Sequence, residues 1–195
     1  MPTNPIGKIK NGDADIGEQI VTENYDAIYK YCYWKLGNSE DAQDITQDVF
    51  LNFIRNINTY SDRGKPRAFL YTIAKNLCIN CNKKRKPDYL EATKEIIDIT
   101  ATEKINNITD KIILEQIVNR LPQEQQEVIV LRYVHDLKVN EIAVITGKSR
   151  FSVRYRINSA LSTIKNKLNG SDYIEKTIRK WFKENIHRCT HAKSY

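Results

Sequence analysis

The chain has 195 residues with 41% hydrophobic content, enough for one ordinary domain or two small ones that each bury a core. Its formal charge is +7, from 31 lysines and arginines against 24 aspartates and glutamates. No run approaches the ~18 apolar residues that span a bilayer, and Met1-Pro2-Thr3-Asn4-Pro5 lacks the apolar core of an export signal, so a cytoplasmic protein is expected. Cys32, Cys78, Cys81 and Cys189 then read as reduced thiols rather than a disulfide framework.

Apolar residues recur at helical spacing far more than they alternate, and Gly and Pro are sparse, which predicts an all-α fold with short turns. Ile16, Ile20, Tyr25, Ile28, Tyr29, Cys32 and Leu36 follow the pattern of a first amphipathic helix, stopped by Gly37-Asn38. A second begins after Asn38 or Ser39, either of which can cap its free amides, and buries Ala42, Ile45, Val49, Phe53 and Ile57. Between Gly37 and Phe50 it carries Glu40, Asp41, Asp44 and Asp48 and no base. The positive end of the helix accounts for Glu40 and Asp41, but poorly for Asp48.

The polar stretch 58–65 reads as a loop, and Pro66 suits the first turn of a third helix. Phe69, Leu70, Ile73, Ala74 and Leu77 are expected to face inward, leaving Arg67, Tyr71, Lys75, Asn76, Asn80 and Lys83 largely outward. Residues 87–110 then hold six acids against two lysines, with little periodicity before Ile105, and form an acidic linker.

A second helical domain runs from about Thr102 to Leu168. Ile105, Ile108, Ile112, Ile113, Ile117, Val118 and Leu121 make its first helix; Pro122 opens the next, filled by Val128, Ile129, Leu131 and Tyr133. A short helix, Val139 to Ile145, buries Ile142, Ala143 and Ile145, and Thr146-Gly147-Lys148 makes a turn. Ser149 or Ser152 can cap the long final helix, with Val153, Ile157, Ala160, Leu161, Ile164 and Leu168 inward and Arg150, Arg154, Arg156, Lys165 and Lys167 outward.

The charge follows these elements. Arg63 to Lys86 holds eight basic residues and no acid, and Thr146 to Lys167 holds six and none, which leaves about −7 for the rest of the chain. Basic charge so concentrated points to two polyanion-binding surfaces rather than a uniform solubility coat. The second window has the parts of a helix-turn-helix: a small residue, Ala143, in the first helix; Gly147 at the turn; and Ser149 to Arg156 opening the second. Arg150, Arg154 and Arg156 suit bidentate contacts to guanine or phosphate, and Ser149 and Ser152 can donate to phosphate oxygens. The first window and the residues just before it offer Tyr60, Tyr71 and the loop around Ser61-Asp62-Arg63 for stacking, Asn76 and Asn80 for base edges, and Arg67, Lys75 and Lys83 to Lys86 for phosphate, a surface suited to single-stranded or melting DNA.

Two motif sets in a fixed order resemble a known family. Glu40-Asp41-Ala42-Gln43-Asp44-Ile45-Thr46-Gln47-Asp48-Val49-Phe50 and Arg67-Ala68-Phe69-Leu70-Tyr71-Thr72-Ile73-Ala74-Lys75-Asn76 carry the first; Leu121-Pro122, Val128-Ile129-Val130-Leu131-Arg132-Tyr133, Asn140-Glu141-Ile142-Ala143 and Ser152-Val153-Arg154-Tyr155-Arg156 carry the second. They resemble the bacterial sigma-70 factors, specifically the extracytoplasmic-function (ECF) group, over about residues 15–168. The resemblance implies a sigma2-like bundle over 1–86, an acidic linker over 87–101, a sigma4-like helix-turn-helix domain over 102–169 and an extra C-terminal amphipathic helix over 170–195. It implies promoter-specific transcription initiation with core RNA polymerase (β′ clamp helices and β flap), promoter DNA and an anti-sigma factor as partners. Asp41, Asp44, Gln47 and Asp48 would bind core polymerase. Tyr60, Arg63, Arg67, Tyr71, Lys75, Asn76, Asn80 and Lys83 would take the minus-10 element, and Ser149, Arg150, Phe151, Ser152, Arg154 and Arg156 the minus-35 element. Asn80 and Lys75 depart from the acid and arginine frequent in that family, and Phe151 is bulky where small residues are frequent.

Two other readings compete. A stand-alone helix-turn-helix regulator would not need the acidic second helix or a second DNA surface of unlike chemistry. A thiol or metal protein would use Cys78-Ile79-Asn80-Cys81 with His187, Cys189 and His191, but one CxxC lacks the second pair of a zinc ribbon. His135 stands alone near a helix end, and no serine or cysteine has a recognisable base, so no enzyme, cofactor, metal or small-molecule substrate is expected.

Overall fold

The computed structural model describes residues 14–56, 66–84, 114, 116–167 and 178–180, and every described element is helical. The first half holds α1 (Ala14–Leu36), α2 (Ser39–Arg55) and α3 (Pro66–Lys84). The second holds α4 (Gln123–Ile129), the π-helical turn Val130–Val134 that continues it, α5 (Val139–Thr146) and α6 (Arg150–Lys167). Tyr60, Arg63, Ile57, Leu168, the linker 87–101, the start of the second domain and nearly all of 170–195 lie outside the described residues.

Gly37 ends α1 at φ 72°, and its N–H returns to the Tyr33 carbonyl at 2.9 Å. Asn38, not Ser39, caps α2: its Oδ1 accepts the amides of Glu40 at 2.8 Å and Asp41 at 3.1 Å. Ala42, Val49 and Phe53 are buried as the periodicity requires, joined by Phe50 and Thr46. The Thr46 hydroxyl donates to the Ala42 carbonyl at 2.6 Å, so its polar atom enters the core satisfied.

The register of α3 differs from the expectation. Tyr71, expected outward, is fully buried, whereas Phe69, Ile73 and Leu77 are half-buried; the buried stripe is Ala68, Leu70, Tyr71, Ala74 and Cys78. The cause is tertiary: α3 packs against α1 and α2 on one side and α5 of the second half on another, so its open face is narrowed to Asn76, Ile79, Asn80 and Lys83. Cys78 sits in this core with Cys32, while Cys81 is half-buried.

In the second half, the Gln126 amide donates to the carbonyls of Asn119 at 2.9 Å and Leu121 at 2.7 Å, tying down the turn that Pro122 closes. Val128, Ile129, Leu131 and Tyr133 are buried as expected. Where α4 widens into its π turn, the His135 N–H reaches back to the Val130 carbonyl at 3.2 Å, and Asp136 adopts φ 50°. Aspartate tolerates this left-handed conformation better than most residues. Glu141 accepts the Lys138 N–H at 2.7 Å at the start of α5, and Ser149, not Ser152, caps α6, its Oγ accepting the Ser152 N–H at 3.1 Å. Val153, Ile157, Ala160 and Ile164 face inward from α6, while Ala143 and Leu161 are half-buried. One continuous apolar core runs through both halves.

Gly147 links α5 to α6 at φ 68°, and a Cβ built there meets no atom within 4 Å. Any cost of a side chain is therefore in the backbone. Gly147→Ala should lower stability by roughly 1–2 kcal/mol, and Gly147→Asn by less, as read from urea unfolding midpoints.

Candidate nucleic-acid interface

The outer face of α6 is built by helical spacing. Arg150, Phe151, Arg154, Tyr155 and Asn158 all lie exposed on the side opposite Val153, Ile157, Ala160 and Ile164. Phe151 is 81% exposed and Tyr155 68%, values that no core requirement explains. Each follows an exposed arginine, Arg150 or Arg154, so apolar and basic side chains adjoin on this helix, and Val144 on α5 is exposed as well. Tyr155 escapes a reading from composition because a tyrosine among helical apolar residues looks like core.

Arg156 was expected to face out with them and does not. It is half-buried, its Nε 2.8 Å from Glu124 Oε2 on α4 and its Nη1 donating to Ser152 Oγ. Lys148 Nζ lies 3.2 Å from the other Glu124 oxygen, and these two cations hold the Glu124 carboxyl below the usual carboxylate range, the Arg156 hydrogen bond contributing most. Ser149 is exposed at the helix start and Ser152 half-buried behind it.

A second exposed stripe runs along α2. Asp44, Gln47, Asp48 and Leu51 stand at i, i+3, i+4 and i+7 and are all exposed, while Asp41 is half-buried at the helix start. Ile54 extends the apolar end at 53% exposure, and Leu51 is at 48%. The stripe is thus acidic at one end and apolar at the other, a pattern suited to a protein partner rather than to DNA.

The residues expected on the minus-10 surface divide into two groups. Asn76, Asn80 and Lys83 are exposed on α3. Arg67, Tyr71 and Lys75 instead meet the second half: Arg67 Nη2 donates to the His135 carbonyl at 3.0 Å, and Lys75 Nζ to the Ile145 carbonyl at 3.3 Å. The Tyr71 ring stands edge-on to the His135 ring at 5.1 Å, and Tyr31 of α1 does the same at 5.9 Å. Burial raises the Tyr71 hydroxyl well above its ordinary pKa, against the nearby Arg67. His135, no more than a lone histidine in the sequence, is a side chain that the second half inserts into the first, and Glu127 is another.

Two family models match the chain: Sigma-70 region 2 over residues 20–87, and Sigma-70 region 4 over 111–164. The ECF RNA polymerase sigma factor SigW of Bacillus subtilis is 31% identical over 182 residues, covering 84% of this chain and 94% of SigW. Among solved structures, CnrH in complex with the cytosolic domain of CnrY is similar at a TM-score of 0.60 and 19% identity, over 85% of this chain and 95% of that one. The sigma factor RpoE in complex with the anti-sigma factor NepR from Bartonella quintana follows at 0.57 and 16%, over 77% and 95%. At those identities the two structures speak for the fold alone.

The insertion of His135 has a pH consequence. Burial, then the cations Arg67 and Lys30, push its pKa from the ordinary 6.5 down to about 3, so the packed form holds it neutral. Tyr31 and Tyr71 also face the ring, and neither titrates in that range. Unpacked chains bind a proton that the packed form refuses; the stabilisation is complete above about pH 6.5 and drains away as the pH falls towards 3. The thermal midpoint should therefore fall more steeply below pH 6.5 in the native chain than in His135→Phe, and parallel slopes would count against this role.

Proposed function

We propose a division of labour for this chain, which belongs to the ECF group of the sigma-70 family of RNA polymerase sigma factors. As a sigma factor it binds core polymerase and directs promoter-specific initiation through minus-10 and minus-35 elements. The proposal concerns which residues do which part, with boundaries at 1–86, 87–101, 102–169 and 170–195. The observation that carries it is a contrast of exposed faces: acidic and apolar on α2, basic and aromatic on α6, in the segments that match regions 2 and 4 respectively.

Asp44, Gln47 and Asp48, with Leu51 beyond them, meet the β′ clamp helices, and Asp41 supports the start of that stripe. The carboxylates pair with cations at the rim of the contact, where they steer association, while Leu51 and Ile54 supply apolar area. The second half binds the β flap while α6 enters the major groove of the minus-35 duplex. There Arg150 and Arg154 make bidentate contacts to guanine or phosphate, Ser149 and Ser152 hold phosphate, and Phe151 and Tyr155 lie against thymine methyls. Arg156 clamps α6 to α4 through Glu124 and reaches DNA only if it leaves that carboxylate.

The minus-10 strand lies on α3 and the loop before it. Tyr60, Arg63, Arg67, Tyr71, Lys75, Asn76, Asn80 and Lys83 supply stacking, amide and phosphate contacts that offset an unpairing cost of about a few kcal/mol. By analogy with RpoE and NepR, an anti-sigma factor controls access to these surfaces. The chain contributes specificity rather than catalysis, and it works in the cytoplasm beside the polymerase.

Arg154→Ala should cut promoter-specific initiation roughly 10- to 100-fold in a reconstituted assay while leaving affinity for core polymerase unchanged. Asp48→Lys should do the reverse, weakening core binding while leaving the isolated minus-35 contact intact. Tight binding to free promoter duplex with no complex with core enzyme would favour the stand-alone regulator instead.

A further inference from the structure

The exposed face of α6 carries two kinds of side chain at one spacing. Arg150 and Arg154 stand four residues apart, and so do Phe151 and Tyr155, so a basic pair and an aromatic pair run side by side along the helix. Arg156, the next cation, is drawn to Glu124 instead. Val144 of α5 lines a groove of about 340 Å³ together with Asn140, Ala143, Lys148 and Arg150, so exposed apolar surface continues from α6 towards α5. The segment from Thr146 to Lys167 has no acid. An occupant of this face must therefore bring negative charge for the arginines and apolar groups for the rings. The major groove of duplex DNA brings both: phosphates along its rim and, on its floor, the C5-methyl of thymine, the one apolar group that any base presents there.

We propose that Phe151 and Tyr155 are specificity-determining residues that select thymine by its methyl group, at two neighbouring A·T pairs. The inference rests on the assignment of α6 to the minus-35 duplex and names what that helix selects there. Side chains three to four residues apart on a recognition helix reach successive base pairs, which sets the spacing of the two thymines. The Phe151 ring has no donor or acceptor to match against a base edge, so it gains from a methyl only by excluding water and by dispersion. The same holds for the Tyr155 ring, and its hydroxyl is not needed for the contact. Selection of this kind acts against every base that lacks the methyl. It is also insensitive to salt, unlike the phosphate contacts of the arginines, which weaken as salt rises.

The test uses the full-length chain bound to core RNA polymerase and double-stranded promoter probes randomised across the minus-35 segment. One pool carries thymine in that segment and a second carries deoxyuridine, which lacks only the methyl and keeps every hydrogen-bonding group. Bound duplexes from the thymine pool should be enriched in two neighbouring A·T pairs, and the deoxyuridine pool should lose that enrichment. In the best-bound duplex, deoxyuridine at either position should weaken binding about fourfold, the worth of one buried methyl, at low and high salt alike. Phe151→Ser should abolish the effect at one position and Tyr155→Ser at the other, whereas Tyr155→Phe should keep it. Both rings are exposed, so these variants leave the core intact, which far-UV circular dichroism checks. Equal binding of thymine and deoxyuridine duplexes overturns the proposal. So does a Phe151→Ser chain that loses affinity for core polymerase while still telling thymine from deoxyuridine at both positions, which would make the ring a protein contact. Arg154→Ala separates this inference from the assignment beneath it. Weaker duplex binding by that variant, with thymine and deoxyuridine bound equally by the native chain, keeps the minus-35 assignment and removes the methyl selection; no effect of Arg154→Ala on duplex binding removes both.

Discussion

Tyr31 is the point on which the two halves depend. Its ring is fully buried, edge-on to Tyr71 at 5.3 Å and to His135 at 5.9 Å, and tilted against Trp34 at 5.9 Å, while its hydroxyl reaches Glu127. A tyrosine buried this way supplies a large apolar area and one polar atom that must find a partner. The partner is a carboxylate from the other half, which in turn requires cations, and Lys35 and Lys75 provide them. Each group is tolerable only because the next is present. Such networks contribute little net stability after desolvation, but their geometry is demanding, and here they specify one docking of the halves over others.

The same docking divides the functional surfaces into those on offer and those withheld. The α2 stripe and the outer face of α6 are exposed as they stand. Arg67, Tyr71 and Lys75 are not, because the loop at 135 and the end of α5 lie over them. Under the assignment proposed above, the α2 stripe is the polymerase surface and Arg67, Tyr71 and Lys75 belong to the single-strand surface, which is needed only when DNA opens. An arrangement that leaves the first free and covers the second fits that order.

Charge is used sparingly at the recognition helix. Glu124 ties down Arg156 and Lys148, so two of the six basic residues between Thr146 and Lys167 serve the packing of α4, α6 and the turn between α5 and α6. Arg150 and Arg154 remain outward, interleaved with Phe151 and Tyr155. A basic window read along the chain overstates the charge that DNA would meet, since intramolecular carboxylates draw on the same guanidinium and ammonium groups.

The sequence by itself determined the helices among the described residues, the turns at Gly37 and Gly147 and the acidic stripe of α2, and narrowed each of two caps to a pair of candidates, because these follow from spacing, side-chain capping and the conformational freedom of glycine, all local properties. Motif order alone was enough to carry the family. Only the tertiary structure decided which way Tyr71 faces, what Arg156 pairs with, and that His135 and Glu127 cross between the halves. Helical periodicity assigns one buried face, and α3 has neighbours on two sides; nothing in Gln123-Glu124-Gln125-Gln126-Glu127 marks the second glutamate as the buried one. The basic window around α3 was legible as a place for nucleic acid, whereas its partial closure by the chain's own second half depends on contacts more than 60 residues apart in sequence, such as Arg67 with His135, and no local rule reaches that far.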